Sequence, residues 1–384
     1  MTNAVYILGA GASKDFGLPL GGEIFDCAYQ LSRLKDRSIA TAELATLLGD
    51  VERYLGEIFT KLPEDKKAYP PLEEILTLLW DCKSSERYDH EKKKRISLFK
   101  HPDGARGLFE AFAKLLGLTL AGALQLNETS SRIEQFGNFI KALLSDRKQN
   151  ISFISLNYDV LLDNILAECV NDGVIADYSY GVPLSDIEEP YRSGSKQKFC
   201  RDTGVLLLKP HGSLNLVSCP HHQARYGDGF YYSKANPIAV IASTLKCPGC
   251  GSVPKPLIIP PLYNKSEYIA ASAVKTRHLV SWRSSPELFR TYCDPEIRET
   301  LGLADEITII GYSLPAYDYD FKGLLITSLM KNTKRRKIRL KLITKGDDAV
   351  CNLKRQCEPL VGPVTVESSD GFYNYLKGSL PAAV

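Results

Sequence analysis

The sequence predicts an α/β protein: a parallel sheet covered by helices on both faces, carrying an inserted helical module and a small metal-binding module. Three observations predict it. Short apolar runs alternate with amphipathic segments near both ends of the chain, the pattern of buried parallel strands and their crossover helices. A nearly all-helical stretch separates the first strand from the second. A patch holding a Cys-x-x-Cys pair interrupts the later half. One domain of 384 residues would comprise a core at about 1–37, 149–216 and 256–384, the helical module at 38–148 and the small module at 217–255.

The first strand is the apolar run at residues 4–8, which ends in glycine. A helix is expected from about Gly22 to Leu34. Ala42–Leu62, Leu72–Trp80, Ala105–Leu124 and Ile133–Leu144 repeat apolar residues at helical spacing. Glu73 and Glu74, after Pro70-Pro71, read as an ordinary helix start. Lys92-Lys93-Lys94-Arg95 reads as a solvated loop. The strand–helix rhythm resumes with Ile151–Leu156 and Val160–Val170. Further strands are expected at Val205–Leu208, Leu257–Ile259, Ile307–Ile310, Ile338–Ile343 and near Pro363–Val366, with a helix at Phe321–Leu329. Between Lys331 and Lys341, Ile338 and Leu340 alternate with charges. That suggests an edge strand first and an anion-binding strip second.

Composition excludes little. Hydrophobic residues make up 44% and charged residues 24%, ordinary values for a globular protein. The net charge of +3 gives no direct nucleic-acid signal. Thr2–Leu8 lacks the basic start and long apolar stretch of a signal peptide, and no apolar run approaches the roughly 18 residues of a membrane span. The ten cysteines are scattered apart from Cys247 and Cys250, which reads as reduced thiols and a cytoplasmic location.

The first strand runs into Gly9-Ala10-Gly11-Ala12-Ser13, a Rossmann-like turn that would offer backbone N–H groups to a pyrophosphate. Gly9 would permit the tight turn and Gly11 a close ligand approach. A bare strand-to-helix turn is the competing reading. A hydride-transferring dinucleotide enzyme is disfavoured, because Lys14 stands where that fingerprint needs its third glycine. Nor does an acidic residue end a second strand about twenty residues on, where a ribose hydroxyl would need it.

Four motifs in order then resemble the sirtuins. Gly9-Ala10-Gly11-Ala12-Ser13 with Gly17 and Pro19 looks like their Gly-Ala-Gly-x-Ser and Gly-x-Pro opening. Ser155-Leu156-Asn157-Tyr158-Asp159 resembles Thr-Gln-Asn-x-Asp, and Lys209-Pro210-His211-Gly212-Ser213 the His-Gly element with the general base. Gly311-Tyr312-Ser313-Leu314 resembles the Gly-Thr-Ser-Leu segment on the adenosine side. Departures accompany these matches. Leu20-Gly21-Gly22 replaces Asp-Phe-Arg, Leu156 replaces the glutamine, and Thr344-Lys345 stand where an asparagine is common. The overall pattern is more similar to the sirtuin-like NADases of bacterial antiphage defence. That resemblance implies cleavage of NAD⁺ to nicotinamide and ADP-ribose and assembly with a HerA-like ATPase, an Argonaute or another defence partner; the size of the helical insertion is what suggests a homo-oligomer. The alternatives are an NAD-dependent protein deacylase and a non-catalytic NAD or ADP-ribose sensor.

Breaking the nicotinamide–ribose bond leaves an oxocarbenium-like ribose and a neutral leaving group, so the protein's tasks are to hold the sugar and guide water. On this reading Asn157 orients a ribose hydroxyl or that water, and His211 takes a proton near neutral pH. Asp159 either stabilises the positive ribose or caps the helix beginning at Val160. Gly9, Ala10, Gly11, Ala12, Ser13, Gly311 and Ser313 would bind the cofactor, with Ser13 and Ser313 alternatively capping helices. Asp318 reads as the cap of the helix that follows, with contact to the adenosine as the alternative.

Cys219-Pro220-His221-His222 and Cys247-Pro248-Gly249-Cys250 form a zinc-ribbon-like pattern. Cys219, Cys247, Cys250 and His222 (or His221) would close a tetrahedral structural Zn²⁺ site. Sirtuins use four cysteines for theirs, so this would be a variant; free thiols in a turn are the other possibility.

Overall fold

The computed structural model describes residues 1–34, 39–59, 64–85, 87–89, 94–96, 99, 104–127, 131–146, 148–186, 204–219, 221, 230–232, 246–259, 285–315, 318–332 and 338–379. In chain order the elements are β1 (Thr2–Leu8), α1 (Ala10–Lys14), α2 (Ile24–Ser32), α3 (Ile39–Ile58), α4 (Leu72–Ser85), β2 (Arg87–Asp89), β3 (Lys94–Ile96), α5 (Gly104–Asn127) and α6 (Ser131–Ser145). They continue as β4 (Gln149–Ser155), α7 (Leu161–Asn171), β5 (Tyr178–Ser179), β6 (Ser185–Asp186), β7 (Val205–Leu208), β8 (Gly212–Ser218), β9 (Phe230–Tyr232) and β10 (Lys255–Ile258). The last are α8 (Ser285–Gly302), β11 (Glu306–Ile310), α9 (Tyr319–Lys331), β12 (Arg339–Ile343), α10 (Asp347–Val361), β13 (Val364–Ser368) and α11 (Phe372–Ser379).

Seven strands form a wholly parallel sheet in the order β13-β12-β11-β1-β4-β7-β5. From β1 the chain builds outward through β4 and then returns to build the other way from β11. Helices α6 and α7 pack together, as do α9 and α10, and the right-handed rule for parallel crossovers assigns the two pairs to opposite faces. The sequence accounts for the burial. Every residue of Glu306–Ile310 is buried, as a central parallel strand requires. Helix α7 buries Leu161, Leu162, Ile165, Leu166 and Cys169, one stripe at helical spacing. Helices α2 to α5 pack on one another, and their core side chains, such as Val51, Leu76 and Phe112, join those of the sheet in a continuous apolar core.

Helix α5 is long and apolar enough to cross a membrane by length and composition, a refinement of the expectation from uninterrupted runs. Its side chains Phe112, Leu115, Leu116 and Leu118 are instead buried inside the protein. A second sheet, β10-β8-β9-β6, sits beside the first.

Two local expectations change. Strand β12 is not an edge: β13 pairs beyond it. The charges that suggested an edge are neutralised within the sheet, Lys341 meeting Glu306 at 3.0 Å and Glu367 at 3.8 Å, and Arg339 meeting Glu306 at 3.0 Å. On β12 itself Lys341 and Arg339 face carboxylates rather than a free anion site; the centre of the basic run, residues 333–337, lies outside the described residues. Part of the Lys92–Arg95 run also belongs to a two-stranded hairpin, with Tyr88 opposite Arg95.

Candidate active site at the carboxyl edge of the parallel sheet

Register decides what meets at the edge. Leu8 pairs with both Ile310 and Ser155, Ile310 with Ile343, and Ile154 with Leu208. The loops that follow these strands carry Gly9, Gly311, Asn157 and His211, and so converge on one end of the sheet, beside the point where strand order reverses.

The glycines interlock two of these loops. Gly9 N–H donates to Ile310 O (2.9 Å), Gly11 N–H to Gly311 O (2.8 Å) and Ala12 N–H to Gly9 O (2.8 Å). A β-carbon at Gly9 would come 2.5 Å from Tyr312 Cβ, and one at Gly11 would come 2.7 Å from Gly311 O. Gly311 has φ +58° and no room for a side chain against the Gly11–Ala12 backbone. The bare face that the sequence assigned to ligand approach at Gly11 is therefore filled by Gly311. Ala10 is exposed, Ala12 and Ser13 are buried, and Ser313 is exposed. Gly311→Ala is expected to destabilise the fold by about 2–3 kcal/mol, from left-handed strain and overpacking together. A chemical denaturation series comparing it with Gly323→Ala, at an open helical position, measures this.

Asn157 follows β4 and is 7% exposed. Its Nδ2 donates to Gly9 O (3.0 Å) and Ser13 Oγ (2.9 Å). Its Oδ1 is buried and accepts from no group among the described residues. Asp159 Oδ1 accepts from Leu161 N–H (3.0 Å), so it does fix the turn into α7. Burial raises the Asp159 carboxyl above its ordinary range, opposed by the charge of Lys209, the Leu161 N–H and the Ser13 hydroxyl.

Lys209, to which the sequence reading gave no role of its own, is 1% exposed. Its Nζ donates to Asp159 O (2.6 Å), Ser213 Oγ (2.7 Å) and Asp163 Oδ2 (2.9 Å). Asp163 Oδ1 accepts from Tyr180 OH (2.6 Å) and Asn215 Nδ2 (3.1 Å). This buried network fixes the two segments that carry Asp159 and His211.

His211, 6% exposed, sits in the turn between β7 and β8, where Gly212 at φ +76° closes against the Leu257 carbonyl. Its Nε2 lies 3.1 Å from Asp318 Oδ2. Tyr312 OH donates to that same oxygen (2.6 Å), and Phe321 N–H donates to Oδ1 (3.3 Å). Asp318 is thus the expected cap of α9 and also the partner of His211. Burial alone would raise its carboxyl, but the charge and hydrogen bond of His211, with the Tyr312 hydroxyl and the Phe321 N–H, hold it below the ordinary range. Leu314, at φ +51°, is in a left-handed conformation unusual for leucine and lies in the same loop, between Tyr312 and Asp318.

The structure therefore brings Gly9, Ser13, Asn157 and Asp159 into one hydrogen-bonded group and His211, Tyr312 and Asp318 into another, touching across Gly9 and Tyr312. The cysteines form a separate cluster. The sulfurs of Cys219, Cys247 and Cys250 all lie within 4.8 Å of one another, with Cys219 Sγ 3.4 Å from Cys250 Sγ. The turn is closed by Gly251 N–H donating to Cys247 O (2.7 Å). Three sulfurs this close could hold a metal ion, since tetrahedral Zn–S bonds of about 2.3 Å place sulfurs just under 4 Å apart. Hydrogen bonds to Ser252 bring the Cys250 thiol down to about 7. His221 is exposed and does not join the cluster, and His222 lies outside the described residues.

No protein-family profile and no curated protein matches this chain. Among solved structures, one match is the crystal structure of Sir2 in complex with the inhibitor EX-527, 2′-O-acetyl-ADP-ribose and deacetylated p53 peptide. It is 13% identical with a TM-score of 0.31, over 98% of this chain and 91% of that one. The α/β fold stands on the strand pairing itself.

Proposed function

We propose that this protein is an NAD⁺ glycohydrolase, which cleaves NAD⁺ to nicotinamide and ADP-ribose with Asn157 and His211 as its working residues. The observation that carries the reading is the buried His211–Asp318 pair at the carboxyl edge of a parallel sheet. A carboxylate on Nε2 fixes the imidazole so that Nε2 carries the proton and Nδ1 offers its lone pair, the arrangement of a general base. Asn157 supports the substrate class. A buried amide oxygen without a donor is costly, and a ribose hydroxyl or a positioned water would satisfy it. The four motifs that resemble sirtuins supply the nucleotide's identity. The nicotinamide leaves as a neutral group, so the base serves the incoming water. Ser13 and Asp159 hold Asn157 and the turn behind it. Gly9, Ala10, Gly11, Ala12, Gly311 and Ser313 frame the nucleotide side, mainly through loop shape, because the Gly11 and Ala12 N–H groups are already bonded.

We further propose that the enzyme acts on the cytoplasmic NAD⁺ pool, as the depleting arm of an antiviral defence. It would be restrained by homo-oligomerisation and by a HerA-like ATPase or similar partner. The test is to incubate the purified protein with NAD⁺, with and without an acetylated peptide, and follow nicotinamide and ADP-ribose. Peptide-independent release that falls about 100-fold in Asn157→Ala supports the hydrolase. Release only with peptide would establish a deacylase, and binding without release a sensor.

The cysteine cluster is proposed as a structural zinc site, with Cys219, Cys247 and Cys250 as thiolate ligands and a fourth ligand such as His222. Cys247→Ser should lose most of the bound zinc by elemental analysis and melt at a lower temperature. Wild-type protein purified without stoichiometric zinc would overturn this.

A further inference from the structure

Glu73 stands in the first turn of α4, in the helical region between β1 and β4. Its spacing gave it only a helix start. In the folded protein its carboxylate lies against the backbone of Gly21, in the space a side chain there would take: a β-carbon built on Gly21 would overlap both carboxylate oxygens. Gly21 is not in the left-handed region, so what the glycine provides here is room for the carboxylate rather than a special backbone conformation. Glu73 Oε2 is buried and accepts no hydrogen bond from any described group. Burial raises the carboxyl above its ordinary range, with Glu74 adding to this, while its own backbone N–H and the charge of His211 pull it back. No lysine or arginine among the described residues pairs with it.

A buried acceptor without a donor is costly, more so when charged. Such a group is retained beside a site when a ligand brings the donor. Among the groups of a dinucleotide, the phosphates would be repelled by a carboxylate. Ribose hydroxyls suit it, because two neighbouring O–H groups can donate to its two oxygens. The ribose next to the reacting bond is the one that His211 serves.

We propose that Glu73 is a substrate-binding residue of the NAD⁺ site, its carboxylate receiving hydroxyls of the nicotinamide-side ribose. This rests on the NAD⁺ reading above. It makes the inserted helices part of the site, so any partner that shifts α4 alters substrate binding directly.

Glu73→Gln keeps the shape but turns one acceptor into a donor. Full-length wild type and variant are titrated calorimetrically with ADP-ribose, which keeps that ribose, and with ADP, which lacks it. Each unliganded protein is also melted. The expected result is ADP-ribose affinity weakened about 10- to 100-fold, ADP affinity unchanged, and a melting temperature no lower than wild type. Equal ADP-ribose affinity in the variant, equal losses for both ligands, or a lowered melting temperature would overturn the assignment alone. A wild type that binds neither ligand and leaves NAD⁺ intact would overturn the NAD⁺ reading, and this one with it.

Discussion

His211→Ala is expected to cut NAD⁺ cleavage by about 10²- to 10⁴-fold, the range a positioned general base contributes. The loss should fall on kcat more than on KM, because the proton moves as water attacks, after the dinucleotide is bound. Asp318→Asn is expected to come close to it. Its amide can present a donor to Nε2, which favours the tautomer with the lone pair facing the wrong way. The Asn variant keeps the volume and can still cap α9 through its carbonyl oxygen, so a rate loss with small change in melting separates tautomer control from folding. Asp318 also sets an acid limit. Its carboxyl is held low in the folded state, so it stabilises the fold above the unfolded carboxylate's pKa of about 4. That contribution disappears as pH falls through the lower folded value. The measurement is turnover and melting in parallel from pH 3 to 8, each variant assayed below its own melting temperature. A His211→Ala protein that keeps its rate within a few-fold would sink the assignment.

Much of the sheet was legible because its strands are short, apolar and end in punctuation: Thr2–Leu8 in Gly9, Glu306–Ile310 in Gly311. Asn157 and His211 came from the motifs that resemble sirtuins; what the strand pattern made legible is their place, each just past a strand end at the carboxyl edge. What periodicity missed were elements whose apolar content is sparse. Helix α10 buries only Leu353, Cys357 and Val361 among charged residues, and α8 carries Pro295 inside it, which reads as a break. Strand β8 is buried throughout yet contains Ser213, Asn215 and Ser218, so it carries no apolar signature.

The partner of His211 was hidden by distance. Asp318 lies 107 positions away, and the sequence offered it a cap or an adenosine contact but not a histidine partner. The cap reading was right and incomplete. Asp163 was hidden differently: it lies on the buried side of α7, where a pattern reader expects an apolar residue, and the partners that explain it, Lys209, Tyr180 and Asn215, come from other parts of the chain.

That pair carries the second large expectation. Lys209→Met should destabilise the protein by about 3–5 kcal/mol, the cost of leaving a buried charge without its partner. Methionine fills the volume of the lysine stem but supplies no donor, so Asp163 Oδ2, Asp159 O and Ser213 Oγ all lose theirs. Asp163→Asn alone should also be costly, since it strands the ammonium. The double variant should recover much of the loss. It removes both charges, and an asparagine at 163 still accepts from Tyr180 and Asn215. Denaturant titration of the four proteins therefore yields a coupling energy of about 1–3 kcal/mol, and additive losses would refute the pair as a unit. The consequence for the site follows from what Lys209 holds. It ties the carbonyl of Asp159 to the strand that begins beside His211, so the two halves of the site keep their spacing only while this buried charge is matched. A double variant that folds but turns over slowly would show the network positioning the site, whereas one that recovers both stability and rate would confine its role to folding.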